Sequence, residues 1–419
     1  MARPHHQIPL PSRQRRDVKV PVSGQAGHAD DRYVQLAALQ QRHRLAHVGY
    51  NFESEYPQHS GGTQLKLRFA LPATFVLLLL ILTGCTNTPT PATPTAGHPA
   101  ATSAAVADPL PSWNDGPAKQ AILDFVKTTT DKTNPKFIAP EDRIATFDQD
   151  GTTWVEQPMY SQVLFALDRV GEMAPQHPEW KTKMPFKAIV TGDKEAMSKF
   201  SMKDIELVFA TTSTGMTTEA FQTITQDWMA KAKHPKFDKP YPQMVYQPML
   251  EVMKYLRDNG YRTYIVTGGG QGFVRSYAQT VYGIPPEQIV GSALDTKYQY
   301  NKEGQGVLLR EPKLLLNNNN AGKAEDIYLF IGKRPHAAFG NTAGDQQMLE
   351  YTQAGGGANL EMLVLHDDVA REFAYGPATG LPDTKVGTFS QALYDEAKAK
   401  GWTVISMKND WKQIFAWEK

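Results

Sequence analysis

The sequence contains a single cysteine, Cys85, among its 419 residues. A disulfide framework and a metal site built from several thiolates are therefore excluded. The chain also lacks an excess of charge of either sign, since 44 basic residues stand against 43 acidic ones. Without an overall positive field, we expect no nucleic-acid partner. The composition, 41% hydrophobic and 21% charged, is that of a globular protein.

Long hydrophobic runs are missing as well. The longest run, residues 69–82, falls short of the about 20 apolar residues that a membrane-spanning helix needs. It follows the basic residues Lys66 and Arg68 and ends in Leu-Thr-Gly-Cys85. A short basic region, an apolar stretch and small residues are typical of a signal peptide. The ending resembles a bacterial lipobox, which implies that Cys85 is lipidated and begins the mature chain.

The segments on either side of this run agree with export to the cell envelope. Residues 1–64 show no clear period, and we expect a disordered leader or a wrongly assigned start, with a basic or metal-binding tail as the alternative. Residues 65–84 form the predicted signal peptide. Residues 85–112 are rich in Thr, Pro and Ala, which predicts a tether. We expect a protein that is lipid-anchored to a bacterial membrane and faces the periplasm or the exterior.

From residue 113 onward, short buried strands alternate with helical patterns. The predicted strands are 144–147, 263–266, 337–339 and 362–365, and the predicted helices include 120–127, 249–256 and 346–351. This alternation predicts an α/β fold, a Rossmann-like parallel sheet with helices on both faces. Polar motifs follow the strands, where open α/β sheets place their functional sites.

The most informative motif is Phe-Asp-Gln-Asp-Gly-Thr-Thr at residues 147–153. Asp148, directly after a strand, can attack phosphorus as a nucleophile. Asp150 can protonate the leaving oxygen and then activate water. A hard cation such as Mg²⁺ would offset the repulsion between carboxylates and phosphate. The alternative is a solvated turn, because Asp and Gly favour turns.

Together with three later motifs, this stretch resembles the haloacid dehalogenase (HAD) superfamily in its phosphoserine-phosphatase-like branch. The four matching stretches are Asp148-x-Asp150-Gly-Thr, Thr267-Gly268-Gly269, the lysine Lys323, and Gly-Asn-Thr-Ala-Gly-Asp-Gln-Gln-Met-Leu at residues 340–349. The resemblance covers residues 113–419. It implies a HAD core formed by residues 113–153 and 261–419, with an inserted helical cap.

The resemblance implies a Mg²⁺-dependent phosphomonoester hydrolase that forms an aspartyl-phosphate intermediate. Asp148 would be the nucleophile and a metal ligand. Asp150 would be the general acid and base, with its backbone carbonyl on the metal. Asp345 would complete the metal site. Phosphoserine phosphatase activity is a narrower possibility within this class of hydrolase.

The same resemblance assigns the phosphate-binding groups. The hydroxyl of Thr267 and the amide of Gly268 would bind phosphate oxygens. Lys323 would neutralise charge between Asp148 and the phosphate. The substrate is expected to be a small phosphorylated molecule, and its identity and the oligomeric state stay open.

The fourth motif departs from its usual form, Gly-Asp-x-x-Asn-Asp. In one alignment Asn341 replaces the first acid and Gly344 replaces the Asn. In the alternative alignment Gly344 and Asp345 are the Gly-Asp pair, and both alignments leave Asp345 as the metal ligand. The loss of one negative charge puts metal affinity in doubt, and it leaves a non-catalytic, ligand-binding lipoprotein as the alternative function. The asparagines at 317–320 are expected to form a polar loop that leads to Lys323.

Residues 154–260, about a hundred in number, are too many for a simple loop in a compact domain. They include the helical patterns 160–167 and 218–229. We interpret this segment as the helical cap, which would close over the site and select the substrate. Glu156 is a candidate substrate contact, with a surface or capping role as the alternative. His366 and the two aspartates after it are expected to form a strand-end turn, with a second metal site or a substrate contact as the alternatives.

Overall fold

The computed structural model describes residues 107–418. The predicted leader, signal peptide and Cys85 lie outside the described residues. Leu110 is buried in the main hydrophobic core, and the Ser112 amide donates to Glu251 Oε2 at 2.9 Å. Residues 110–112 therefore belong to the packed domain and not to the tether predicted for 85–112. None of the helices described between residues 107 and 418 has the length and hydropathy needed to span a bilayer.

The described residues form one seven-stranded sheet. Its strands are β1 (Ile144–Phe147), β2 (Arg262–Gly270), β3 (Ile289–Tyr300), β4 (Gly306–Leu316), β5 (Ala337–Gly340), β6 (Leu360–Leu365) and β7 (Thr403–Ser406). Their order across the sheet is β4-β3-β2-β1-β5-β6-β7. All neighbours are parallel except the β3–β4 pair, which is antiparallel. The predicted α/β class is confirmed, whereas β3, β4 and β7 were not predicted.

The helices of the described region fall between and around these strands. They are α1 (Pro117–Thr130), α2 (Ser161–Met173), α3 (Phe186–Thr191), α4 (Lys194–Met197), α5 (Met202–Ser213), α6 (Thr218–Lys231), α7 (Gln247–Asp258), α8 (Gln271–Arg275), α9 (Ala278–Tyr282), α10 (Ala321–Ile331), α11 (Gln346–Gln353), α12 (Gln391–Lys400) and α13 (Met407–Asp410). Short 3₁₀ turns lie at Pro140–Asp142, Ala174–Gln176, Pro178–Lys181, Tyr241–Gln243, Pro286–Gln288, Ala343–Asp345 and Ala378–Gly380.

Helices cover both faces of the sheet because successive strand residues point to opposite sides. In β6, Met362 and Val364 join the core under α1 and α7. Leu363 and Leu365 join a second core with residues of α10, α11 and α12. Strands buried on both faces explain the short, continuous apolar runs in the sequence.

Between β1 and β2 the chain forms helices, as predicted for residues 154–260. Part of this region, α2 to α5, has a small core of its own, built from Ala166, Val170, Trp180, Phe186 and Val208. In contrast, α6 and α7 contribute to the main core that covers the sheet. The helices with a separate core thus end near residue 213.

The central strands set the position of the polar motifs. β1 lies between β2 and β5, and Phe147 pairs with Ile265 on one side and Phe339 on the other. The three strands are parallel, so their carboxyl ends meet at the same edge of the sheet. The residues that follow β1 and β5, and those at the end of β2, are brought together there.

Candidate active site

Lys323 is the centre of the polar cluster at this edge. It is the third residue of α10 and only 1% exposed. Its Nζ donates to Asp148 Oδ1 at 2.5 Å, to Asp345 Oδ1 at 2.7 Å and to the Val266 carbonyl at 2.7 Å. All three ammonium N–H groups therefore have acceptors. Burial lowers the pKa of Lys323, but the two carboxylates outweigh it and hold the pKa above its usual value.

Asp148 follows β1 directly, and its backbone amide donates to the Phe339 carbonyl of β5 at 2.9 Å. This bond holds the side chain at the edge of the sheet. Burial and the nearby Asp345 carboxylate raise the pKa of Asp148 to about 7, against the opposing effect of Lys323. Two carboxylates, those of Asp148 and Asp345, share one ammonium, and this arrangement favours a further cation.

Asp345 is held by the turn after β5. Its Oδ2 accepts from the amides of Asn341 at 2.9 Å and Thr342 at 3.0 Å, and the side chain is 1% exposed. A Cβ at Gly340 would overlap Asp345, so this glycine permits the close approach. The turn leaves Asp345 Oδ1 directed at Lys323.

Asp150 lies two residues beyond the nucleophile candidate, in the turn that Gly151 makes with φ +79°. Its Oδ1 accepts from Trp154 Nε1 at 2.7 Å. Burial raises the pKa of Asp150 to about 6, although the Trp154 hydrogen bond opposes the rise. A carboxyl group that exchanges its proton near neutral pH is suited to general acid and base catalysis.

The end of β2 supplies the predicted phosphate-binding segment. Thr267 is buried, and its Oγ1 accepts from the amide of Gly269 at 3.0 Å, whereas Gly268 is exposed. A Cβ at Gly269 would lie 3.9 Å from Asp150 Oδ2. Gly269 thus lies near Asp150, and the exposed Gly268 leaves its backbone open to the close approach of a phosphate.

The predicted residues Asp148, Asp150, Thr267, Gly268, Lys323 and Asp345 thus lie at one edge of the sheet. Two residues that contact this group were not predicted as part of it. Trp154 stacks on Tyr277 with ring centroids 5.2 Å apart, and its Nε1 donates to Asp150 Oδ1. Gln162 of α2 accepts from the Gly270 amide at 2.7 Å. The spacing of four between Asp150 and Trp154 could have indicated the first contact.

Glu156, the predicted substrate contact, is only 1% exposed. Its Oε1 accepts from Asn341 Nδ2 at 2.7 Å and from the Tyr375 hydroxyl at 2.9 Å, and burial raises its pKa well above the usual value. The Asn341 Oδ1 in turn accepts from Thr152 Oγ1 at 3.1 Å. Glu156 therefore orients Asn341 beneath the site, and its contact with substrate stays a prediction.

His366 and the two aspartates after it are occupied by structural contacts. His366 is buried, with Nε2 2.7 Å from the Gly151 carbonyl and Nδ1 3.2 Å from Glu372 Oε2. Asp367 accepts from Ser406 Oγ at 2.5 Å, and Asp368 pairs with Arg371 at 2.6 Å. These contacts support the strand-end turn and give no indication of a second metal site.

Within residues 107–418, no cluster of three or more His, Cys, Asp or Glu side chains is arranged to hold a metal ion. The ligand set that the resemblance implies is smaller. It uses the carboxylates of Asp148 and Asp345 and the backbone carbonyl of Asp150. All three donors are hard oxygens of the kind that Mg²⁺ prefers.

Comparisons with known proteins give only distant similarities. No family model and no curated protein matches the sequence. A protein of unknown function from Anaerococcus prevotii is 14% identical with a TM-score of 0.41, covering 60% of this chain and 86% of its own. A phosphoserine phosphohydrolase-like protein from Francisella tularensis is 17% identical with a TM-score of 0.30, covering 54% and 88%.

A HAD family hydrolase from Salmonella enterica is 15% identical with a TM-score of 0.30, and the alignment covers 56% of this chain and 68% of that one. Structural neighbours of this chain thus include HAD-family and phosphoserine-phosphatase-like hydrolases. At TM-scores below 0.5 such similarity does not establish a family. The chemistry has to be inferred from the residues of the chain itself.

Proposed function

We propose that the protein is a Mg²⁺-dependent phosphomonoester hydrolase of the HAD type that works through an aspartyl-phosphate intermediate. One observation carries the proposal: Asp148 and Asp345 share the buried ammonium of Lys323, at distances of 2.5 and 2.7 Å. Three residues from separate parts of the chain meet there, beside Asp150 and Thr267. Phosphoryl transfer requires such positioning and charge neutralisation.

In the proposed reaction, each of these side chains has a defined role. An oxygen of Asp148 attacks phosphorus, the bond from phosphorus to the ester oxygen breaks, and Asp150 gives its proton to that leaving oxygen. Asp150 then takes a proton from the water that attacks the aspartyl-phosphate and releases inorganic phosphate. The pKa of about 6 at Asp150 suits both roles. Lys323 favours the ionised, nucleophilic form of Asp148.

The donor set fits Mg²⁺ chemically. Asp148, Asp345 and the Asp150 carbonyl would hold the ion, which would offset the negative charge of the carboxylates and the phosphoryl group. Asn341 provides no charge at this edge, so we expect weaker metal binding than an acid at that position would give.

The substrate is proposed to be a small phosphate ester chosen by the helical segment after β1. Gln162 is the residue of that segment whose side chain contacts the glycine run at the end of β2. Phosphoserine is the narrower candidate. For an exported enzyme we expect release of phosphate from varied esters, because serine synthesis is cytoplasmic.

We also propose that the chain is anchored to the bacterial cell envelope through lipid on Cys85. The support is the sequence alone: the apolar run 69–82 is followed by Thr83, Gly84 and the only cysteine, Cys85, and then by a Thr/Pro/Ala-rich stretch.

The test is turnover of the purified full-length chain on a panel of phosphate esters, with Mg²⁺ and with chelator. We expect Mg²⁺-dependent phosphate release that Asp148→Asn reduces at least about a thousandfold, since it removes the nucleophile. Asp124→Asn is the control, because Asp124 lies on the exposed side of α1 and its side chain accepts a hydrogen bond from exposed Gln120. No release by a folded chain supplied with Mg²⁺ would favour the non-catalytic binding protein.

A further inference from the structure

The asparagines at 317–320 join β4 to α10, and two of them fasten this segment to the candidate site. Asn318 is fully buried. Its Nδ2 donates to the Thr267 carbonyl at 2.7 Å, and its backbone amide donates to Ser292 Oγ at 3.0 Å. The backbone amide of Asn320 donates to the Gly344 carbonyl at 3.1 Å. Asn319 is thereby held between the end of β2 and the turn after β5.

The side chain of Asn319 lies against two glycines of the site. A Cβ at Gly268 would be 3.6 Å from Asn319 Oδ1, and a Cβ at Gly344 would be 2.7 Å from the same atom. Gly344 is not among the glycines with positive φ. Its lack of a side chain is therefore required for space and not for backbone conformation. The Asn319 amide occupies the volume that a side chain at 344 would take.

The hydrogen bonds fix which end of the Asn319 amide is free. The Asn320 backbone amide donates to Asn319 Oδ1 at 3.1 Å, which identifies that atom as the oxygen. Asn319 Nδ2 has no hydrogen-bond acceptor among residues 107–418, and Asn319 is exposed. Its two N–H donors are thus unpaired within the described residues, on an amide whose Cγ would lie 3.6 Å from a Cβ at Gly268.

We propose that Asn319 Nδ2 donates a hydrogen bond to an oxygen of the substrate's phosphoryl group. This inference rests on the proposed function and deepens it by naming a binding residue outside the four motifs. A neutral amide donor suits this position, because hydrogen bonds to an anion are strong and the amide adds no charge to the cluster. It also gives a physical account of Gly344, where the fourth motif departs from its usual form.

The experiment compares Asn319→Ala and Asn319→Asp with Asn317→Ala, which removes a neighbouring exposed asparagine of the same run. Each full-length chain is assayed with Mg²⁺ on the best ester, and its affinity for inorganic phosphate is measured by calorimetry. We expect Asn319→Ala to lower kcat/KM and phosphate affinity about tenfold to a hundredfold, the usual loss of a hydrogen bond to a charged group. Asn319→Asp should lose more through charge repulsion, and Asn317→Ala should stay within about twofold of wild type.

A double variant separates substrate binding from loop structure. Gly344→Asn alone should lower activity, since its Cβ would lie 2.7 Å from Asn319 Oδ1. In the Asn319→Ala background that contact is gone, and Gly344→Asn can return an amide to the same space. We expect the double variant to recover most of the kcat/KM that Asn319→Ala loses. Thermal unfolding of every variant reports on folding.

The outcomes distinguish the two proposals. An active wild type with Asn319→Ala equal to Asn317→Ala, in both turnover and phosphate affinity, would overturn the role of Asn319 alone. An inactive wild type would contradict the hydrolase. Phosphate binding weakened by Asn319→Ala would in that case still support the subsite, and no binding at all would overturn it as well.

Discussion

At the scale of single residues, the site depends on one ammonium group, that of Lys323, which pairs with the carboxylates of Asp148 and Asp345. Asp148 and Asp345 are 7% and 1% exposed, so neither can rely on water to stabilise its charge. Lys323 provides the compensation, with every N–H directed at an acceptor. Removal of one partner from such a buried group leaves uncompensated charge, which costs far more than loss of an exposed pair. Lys323 thus stabilises the folded chain and also serves the proposed chemistry.

Lys323→Met tests this dual role. In the presence of chelator we expect the free energy of unfolding to fall by about 3–5 kcal/mol at pH 8, and Mg²⁺-dependent turnover to be lost. Without the ammonium, the folded-state pKa of Asp148 rises further above its unfolded value. The folded variant therefore binds more protons than the unfolded chain, and its stability drops as pH rises. The deficit should be smaller at pH 5 than at pH 8, measured by urea denaturation.

Lys333→Met is the matched control, because Lys333 pairs with Asp142 on the surface at 2.6 Å with both side chains about half exposed. Its unfolding free energy should stay close to that of wild type at both pH values. A Lys323→Met deficit that equals the control, or that does not change between pH 5 and pH 8, would contradict the account given for the buried cluster.

At the scale of elements, the central strands could be predicted and the edge strands could not. β1 and β5 are buried on both faces, so their sequences are short apolar runs that end at polar motifs. β3 and β4 form an antiparallel hairpin at the edge, where Tyr298, Tyr300 and Leu314 are more than half exposed. A hairpin that exposes large apolar side chains has no clean alternation of buried and exposed residues. β7 is a four-residue edge strand, too short to give a pattern.

The same distinction applies to the residues of the candidate site: some could be located from the sequence and others could not. Residues directly after a buried strand, such as Asp148, could be located from sequence because parallel strands end at one edge. Gln162 and Asn319 reach the site from a helix and a loop whose positions depend on tertiary packing. Glu156 lies near Asp150 in sequence, yet the turn at Gly151 directs it beneath the site and toward Asn341. No local pattern specifies these placements.

Strand β6 contains one carboxyl group, that of Glu361, whose ionised form is disfavoured by burial. Glu361 is the second residue of a strand buried along its whole length, and its Oε1 has no hydrogen-bond partner in the described part of the chain. Burial raises the pKa of Glu361 to about 8. Ionisation of Glu361 in the folded protein is therefore costly, and the strand is more stable when the side chain carries a proton.

Glu361→Gln should change the pH dependence of stability. The raised pKa means that the folded state binds more protons than the unfolded chain between about pH 4.5 and pH 8. Wild-type stability is therefore lost as pH rises through this window. The glutamine variant lacks the penalty, so it should gain about 2–4 kcal/mol over wild type at pH 8.5 and little at pH 5. Urea denaturation at both values measures the difference.

Glu303→Gln, in the exposed turn between β3 and β4, serves as the control and should leave the pH profile of stability unchanged. A wild-type profile that is flat between pH 5 and pH 8.5, or a Glu361→Gln variant that is destabilised equally at both values, would refute the assignment of a neutral Glu361 in the folded strand.

At the scale of the whole molecule, the proposed phosphatase would be an enzyme held at a membrane by its N-terminal region. From Cys85 onward the sequence has more acidic than basic residues, so its net charge gives it no electrostatic attraction to an anionic bilayer. A lipid on Cys85 would supply the attachment, and residues 86–106 would separate the lipid from the folded domain. Because Cys85 lies outside the residues that form the site, lipidation and catalysis should be separable.

Cys85→Ala tests the anchor in a bacterial host supplied with labelled fatty acid. We expect wild type to incorporate the label and to begin at Cys85 in intact-mass analysis, whereas Cys85→Ala should carry no label and keep residues 65–84. Thr86→Ala, next to the cysteine, should behave as wild type. Fractionation alone would not discriminate, because an uncleaved apolar run 69–82 can itself bind a membrane. Both variants should match wild type in turnover per molecule, and an unlabelled wild type, or one that does not begin at Cys85, would refute the anchor while leaving the hydrolase proposal intact.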